Sequence, residues 1–213
     1  APEWHRARQD KDYVSGRGQV ARLDCVNVAG DLWSGGGVAG GKGLAIGERL
    51  GVPPSSFYWY FKDREALLEA MIRHWEDKNT GNLVARTEAY AENLFEAVFN
   101  LFDCWLDPDL FDSRLDLAIR NWARSDPSLQ ARLDLADARR KRAMTDMLIR
   151  YGYDPEDAEI RALTMIYTQI GYISMQVHED AAQRLARMPG YMEVFTGQKP
   201  AQKDIDRFMA RHR

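Results

Sequence analysis

The stretch LAIGERLGVPPSSFYWYFKDREALL, residues 44–68, decides how the chain is read. It parses into three helical pieces. In the first, Leu44, Ile46 and Leu50 bracket Gly47, and the piece stops at Gly51, a residue able to take the left-handed conformation that ends a helix. The second starts at Pro53-Pro54, where the fixed φ of proline suits a first helical turn, and runs through Ser55, Ser56, Phe57, Tyr58, Trp59 and Tyr60. The third opens at Asp63, a good N-cap, and continues into Ala66, Leu67, Leu68, Met71, Ile72 and Trp75 at helical spacing. Two short helices joined by a glycine turn make a helix-turn-helix, whose second helix can enter a DNA major groove.

Upstream of this stretch, residues 1–16 are polar and aperiodic and read as a loose arm. Residues 18–33, with Val20, Leu23 and Trp33, give an imperfect amphipathic helix that ends in glycine. The link Gly35-Gly36-Gly37-Val38-Ala39-Gly40-Gly41-Lys42-Gly43 invites two motif readings. Gly35, Gly37 and Gly40 fit a dinucleotide fingerprint with Asp63 downstream, and Gly36, Gly41 and Lys42 fit most of a phosphate loop. The second fails where the chemistry needs it, because Gly43 stands where a hydroxyl would ligate magnesium. Both also require a preceding strand, and residues 21–33 read as helix. A flexible link between two helices is the better reading, and no cofactor is expected.

Downstream the chain reads as helix after helix. Leu94, Phe95, Val98, Phe99, Leu101, Phe102 and Trp105 form a broad apolar stripe that ends before Asp107-Pro108. A shorter stripe holds Leu115, Leu117, Ile119 and Trp122. Asp126-Pro127 and Asp154-Pro155 each place an N-cap before a proline at the first helical position, and Gly152 ends the helix between them. Within that helix the polar cluster Arg139–Arg142 reads as a solvated face. Residues 158–177 are apolar nearly all round, so this helix is expected to be buried on two sides, one of them against a partner. Met188-Pro189-Gly190 is expected to break the pattern, and residues 204–209 suggest a final short helix. No internal repeat and no convincing strand is found.

The 213 residues are 45% apolar, enough to fill a core, and the net charge is -3. Residues 1–64 carry 9 Lys+Arg and 7 Asp+Glu, net +2, whereas residues 65–213 carry 20 and 25, net -5, so nucleic-acid contact is expected at the N-terminal end. Cys25 and Cys104 lie in no metal-like or redox-like spacing and read as two free buried thiols of a reducing cytoplasm. No apolar run approaches the roughly 18 residues of a membrane span, and the N-terminus has no signal-peptide core.

The motif IGERLGV, residues 46–52, followed by FYWYFKDREALL, residues 57–68, resembles the DNA-binding signature of the tetracycline-repressor (TetR) family over roughly residues 20–75. The stretch RNWARSDP, residues 120–127, resembles some members more weakly. The resemblance implies an all-α protein: an N-terminal three-helix helix-turn-helix head over residues 17–64, then a helical effector-binding and dimerisation bundle over residues 65–213. It further implies a homodimer on double-stranded operator DNA, released by a small-molecule effector. Carried over by position, Lys42, Ser55, Ser56, Tyr58, Trp59, Tyr60, Lys62 and Arg64 would contact DNA. Phosphate contacts fix register while base-edge contacts specify sequence, so the serines and Trp59 are better readers than Lys62. Phe57 and Phe61 read instead as head core. The chain departs from the family pattern at Gly41-Lys42-Gly43 and at Pro53, and interior glycines each cost up to about 1 kcal/mol of helix stability.

Large, adaptable side chains on several helices suggest an apolar effector pocket: Trp75, Phe99, Phe102, Trp105, Trp122, Tyr167, Tyr172 and Met175, with Gln169 or Thr164 supplying polar contacts. The leading function is thus a ligand-responsive repressor. The alternatives are a sensing protein of the same fold that has lost operator binding, motivated by the glycines around Lys42, and a helical enzyme. Against the enzyme, no Glu-x-x-His pattern precedes His5, His74, His178 or His212, and no nucleophile elbow occurs. His178-Glu179-Asp180 reads as exposed helix-end residues rather than metal ligands.

Overall fold

A computed structural model describes residues 61–212. The expectations for Cys25, Lys42, Ser55, Ser56, Tyr58, Trp59 and Tyr60, and for the helix-turn-helix that carries them, lie outside the described residues. The chain divides into two compact units, residues 1–74 and 75–213.

Of the first unit, residues 61–74 are described. Helix α1, Arg64–Trp75, begins where the sequence expects it, since the Asp63 carboxylate accepts from the Ala66 amide at 2.8 Å and so satisfies an amide with no intrahelical partner. Leu67 and Met71, four residues apart on one face, are buried, as is Phe61. Lys62 and Arg64 are exposed on either side of the cap.

The second unit is all-helical among its described residues. A π-helical turn, Glu76–Gly81, precedes α2, Asn82–Glu88. Then come α3, Leu94–Leu106; α4, Ser113–Ala123; α5, Pro127–Arg150; α6, Pro155–Ser174; α7, Ala181–Thr196; and α8, Gln202–Arg211. Side-chain caps start most of them. Asn93, Asp112, Asp126, Asp154 and Asp180 each accept from an amide of the following first turn, and Pro127 and Pro155 occupy the position where a missing N–H costs nothing.

The core gathers Val98, Phe99, Leu101 and Phe102 of α3 with Met144, Met147 and Leu148 of α5, Ala158, Ala162 and Met165 of α6, Met192 and Phe195 of α7, and Phe208 of α8. Phe99 stacks on Phe208 with ring centres 4.2 Å apart. Cys104 is a free, buried thiol, as expected, and burial pushes its pKa up to about 12.

Three expectations are corrected. Arg140 does not lie on a solvated face: it is buried, while Arg139 and Arg142 are exposed. Asp116 on α4, invisible at a spacing of 24 residues, supplies the charge that makes this burial affordable. Pro189 does not break its helix: α7 runs unbroken from Ala181 to Thr196. Met188, Met192 and Phe195 share a buried face, and burying such side chains is worth about 1.5–3 kcal/mol each, against about 3 kcal/mol for one interior proline. Glu179 is not an exposed helix-end residue either, for its side chain is only 10% exposed, whereas Asp180 beside it caps α7.

Helix α6 buries Ala158, Ala162, Met165, Ile166 and Ile173 along one face. Its other face leaves Ile160 and Tyr167 exposed at 59% and 65%, and Met175, just past its end, at 77%. Among the described residues no helix is long and apolar enough to cross a membrane.

Candidate ligand cavity

Helices α3, α6 and α7 diverge enough to leave a cavity open on one side. Phe102 and Trp105 come from α3, Met165, Thr168, Gln169 and Tyr172 from α6, and Arg184, Met188, Tyr191 and Phe195 from α7. Glu179, in the connection between α6 and α7, completes the wall. The space free of atoms is about 410 Å³, part of it open to solvent, but the centre of a water-sized sphere can move through only about 30 Å³. The cavity is therefore narrow, with room for about two waters, and a larger guest must be thin or must push side chains aside. Met165 and Met188 are suited to giving way, because an unbranched thioether re-packs at low cost.

The aromatic wall is continuous. Phe102 lies 5.2 Å from Trp105 and meets Phe195 edge-on at 6.1 Å, and Tyr191 stacks on Phe195 at 5.8 Å. At one end the Arg184 guanidinium sits 4.8 Å above the Tyr172 ring, and burial holds its pKa below the ordinary arginine value. The Tyr172 hydroxyl donates to Glu179 at 3.3 Å, and Glu179 is also ion-paired with Arg187. Trp105 is only 8% exposed, and among the described residues its indole N–H has no acceptor.

Trp105 and Gln169 have a second role. They also line a smaller space bounded by Phe111, Asp116, Arg140 and Met144, and so stand between the cavity and a buried charge network. Asp116 Oδ1 accepts from the Trp75 indole at 2.8 Å and from Arg140 at 3.1 Å, and Oδ2 accepts from Arg120 at 2.8 Å. Burial alone would raise the Asp116 pKa, but Arg140, Arg120 and the Trp75 hydrogen bond outweigh it and bring the value down to about 2. Arg120 also grips Asp137 with both guanidinium branches, at 2.8 and 2.7 Å. These contacts pin the π-helical turn: Arg140 donates to Thr80 at 2.9 Å, and Asn79 exchanges two 2.9 Å hydrogen bonds with the backbone of Asp112.

Of the residues expected around an effector, the structure brings Phe102, Trp105, Gln169 and Tyr172 together. The others lie elsewhere. Trp75 belongs to the charge network, Phe99 stacks on Phe208 in the core, and Trp122 is half-buried on α4. Tyr167 and Met175 are exposed, and the Thr164 hydroxyl turns back to the Ile160 carbonyl. The wall contributed by α7 was missed. Its signal was present, since Arg184, Met188, Tyr191 and Phe195 recur at helical spacing, but Pro189-Gly190 masked it. Among the described residues no cluster of His, Cys, Asp or Glu could hold a metal ion.

Residues 26–71 match the sequence model of the family described as bacterial regulatory proteins, tetR family. No curated protein matches the chain. Solved structures share its fold. The ketosteroid transcriptional regulator KstR2 of Mycobacterium tuberculosis superimposes with a TM-score of 0.62 at 16% identity, over 85% of this chain and 96% of that one. A transcriptional regulator from Rhodococcus sp. Rha1 gives 0.58 at 19% identity, over 89% and 96%. A TetR-family transcriptional regulator from Mesorhizobium loti gives 0.57 at 14% identity, over 92% and 98%. Residues 26–71 thus carry the sequence signature of the tetR family, and the chain shares its fold with solved structures of transcriptional regulators.

Proposed function

We propose that the chain is a dimeric, ligand-responsive transcriptional regulator that leaves its operator DNA when a small molecule fills the cavity between α3, α6 and α7. The cavity carries this reading: an aromatic, partly open space with a few polar groups is what small-molecule sites look like, and a fully packed core has no need of one. The match over residues 26–71 supports a DNA-reading head, in which Lys42, Ser55, Ser56, Tyr58, Trp59, Tyr60, Lys62 and Arg64 are the proposed contacts. The uncovered apolar face of α6 supports a second copy as partner, since Ile160, Tyr167 and Met175 are large and exposed on a single chain.

The response works by population shift. A ligand changes DNA affinity only through different affinities for two conformations, one with its two heads spaced for two half-sites and one without. Trp105 and Gln169 touch both the cavity and the space beside Asp116 and Arg140, so a guest that moves them changes the packing of the groups pinning the π-helical turn.

Footprinting across the promoter region next to the chain's own gene tests the reading. Protection of a two-fold-related site at matched salt is expected. Protection no better than on random DNA favours a protein that keeps the fold without operator binding, a reading for which the glycines around Lys42 speak.

A further inference from the structure

Among the described residues, two polar groups on the cavity wall have neither an ion-pair partner nor a side-chain hydrogen bond. Arg184 brings a half-buried guanidinium to it and lies over Tyr172, yet among the described residues it forms no ion pair. Glu179, the one carboxylate on the same wall, is already engaged by Arg187 and the Tyr172 hydroxyl, so this end of the cavity keeps one positive charge over. Trp105, which lines this cavity and the smaller space beside it, contributes a buried N–H with no acceptor among the described residues. Buried donors are nearly always matched, and an unmatched one on a cavity wall calls for an oxygen from whatever enters.

We propose that the cavity takes an organic carboxylate with a slim apolar body, its carboxylate seated on Arg184 and one of its oxygens accepting from Trp105 Nε1. The body lies against Phe102, Phe195 and the two methionines, where alkyl or aromatic surface leaves water. A guanidinium presents paired N–H donors that match a carboxylate, and the low polarity of the walls strengthens the contact. A cationic guest finds no free carboxylate here, and a neutral one leaves the Arg184 charge unmatched. The inference rests on the effector reading and sharpens it to a chemical class.

The test uses the full chain and probes that differ only in the headgroup: decanoate, 1-decanol and decylamine below micelle-forming concentrations, and 2-naphthoate beside 2-naphthol. Melting temperature and tryptophan fluorescence report binding. Each carboxylate is expected to bind roughly ten-fold or more tightly than its matched alcohol, the range for a hydrogen bond to a charged group. Arg184→Gln should remove that preference, Arg184→Lys should keep part of it, and Trp105→Phe should weaken the carboxylates. Circular dichroism of each variant shows whether it is folded, and Arg184→Lys keeps the test open should the glutamine variant not fold. Equal or tighter binding of the alcohols or the amine overturns the proposal, as does a preference that survives Arg184→Gln. If neutral probes bind and release DNA while carboxylates do not, the effector reading stands and the carboxylate class falls. If no probe binds, both fall.

Discussion

Arg140 and Asp116 meet inside the second unit, Nη2 to Oδ1 at 3.1 Å, with only 4% and 1% of their side chains exposed. The pair is cross-braced rather than isolated. Trp75, Thr80 and Arg120 each add a hydrogen bond to one of its members, and the Arg140 guanidinium also lies 5.3 Å from the Trp75 ring and 5.4 Å from the Phe111 ring. A buried charge without its partner is far more costly than no charge at all, which makes the pair an all-or-none feature.

Removing one member should therefore be severe. Asp116→Leu takes the nearer carboxylate from buried Arg140, leaving only Asp137 at 3.5 Å, and is expected to cost about 3–5 kcal/mol, whereas combining it with Arg140→Met should recover much of that loss. Urea unfolding of the four members of the double-mutant cycle measures it. A single-variant cost below about 1 kcal/mol would show that the pair is solvated in solution.

The same pair sets a response to acid. Asp116 has its carboxyl pKa depressed from 3.8 to about 2 in the folded chain. Its contribution is present above the unfolded value and is lost as pH falls through about 2, and a shift of this size is worth about 2 kcal/mol. Stability measured from pH 5 downward should fall in this window, and the fall should be smaller in the double variant that removes the pair. Equal slopes would place the acid sensitivity elsewhere.

Cys104 should be chemically silent. Its buried thiol, with a pKa near 12, carries almost no thiolate at neutral pH, and thiolate is the reactive form. In a Cys25→Ser background, labelling with a thiol reagent at pH 8 should proceed only as the protein unfolds. Labelling that is fast and insensitive to denaturant would contradict the burial.

Two glycines of one helix predict opposite outcomes. A Cβ on Gly190, inside α7, would meet nothing within 4 Å, so Gly190→Ala should stabilise by about 0.5–1 kcal/mol. Gly197 ends the same helix at φ +69°, and a Cβ there would come within 3.1 Å of the Arg161 guanidinium, so Gly197→Ala should destabilise by about 1 kcal/mol or more. Thermal melts of the two variants check the pair, and matching signs would refute the helix boundary.

The exposed side of α6 gives a test of assembly. Tyr167→Glu places a charge on a ring position that is 65% exposed, so the single chain should tolerate it within about 0.5 kcal/mol. Sedimentation of the unaltered protein is expected to show dimers, and of the variant, monomers. A variant that remains dimeric would move the interface off this face.

The sequence by itself determined what is settled within a few residues. The starts of α1, α5 and α6 were legible because Asp63, Asp126 and Asp154 satisfy amides two or three positions away, and the apolar stripe of α3 was legible because its period is that of the helix. Four of the eleven residues lining the cavity were readable for the same reason, Phe102, Trp105, Gln169 and Tyr172. Only the tertiary structure decided the rest. Arg140 looks like any helix-surface arginine until Asp116 arrives from another helix, and Pro189 looks like a stop until the burial of Met188, Met192 and Phe195 outweighs one lost hydrogen bond. Trp75, Phe99 and Tyr167 carry the same aromatic signal as Trp105, and whether such a ring lines a cavity, fills the core or faces solvent depends on neighbours far along the chain, which local periodicity does not encode.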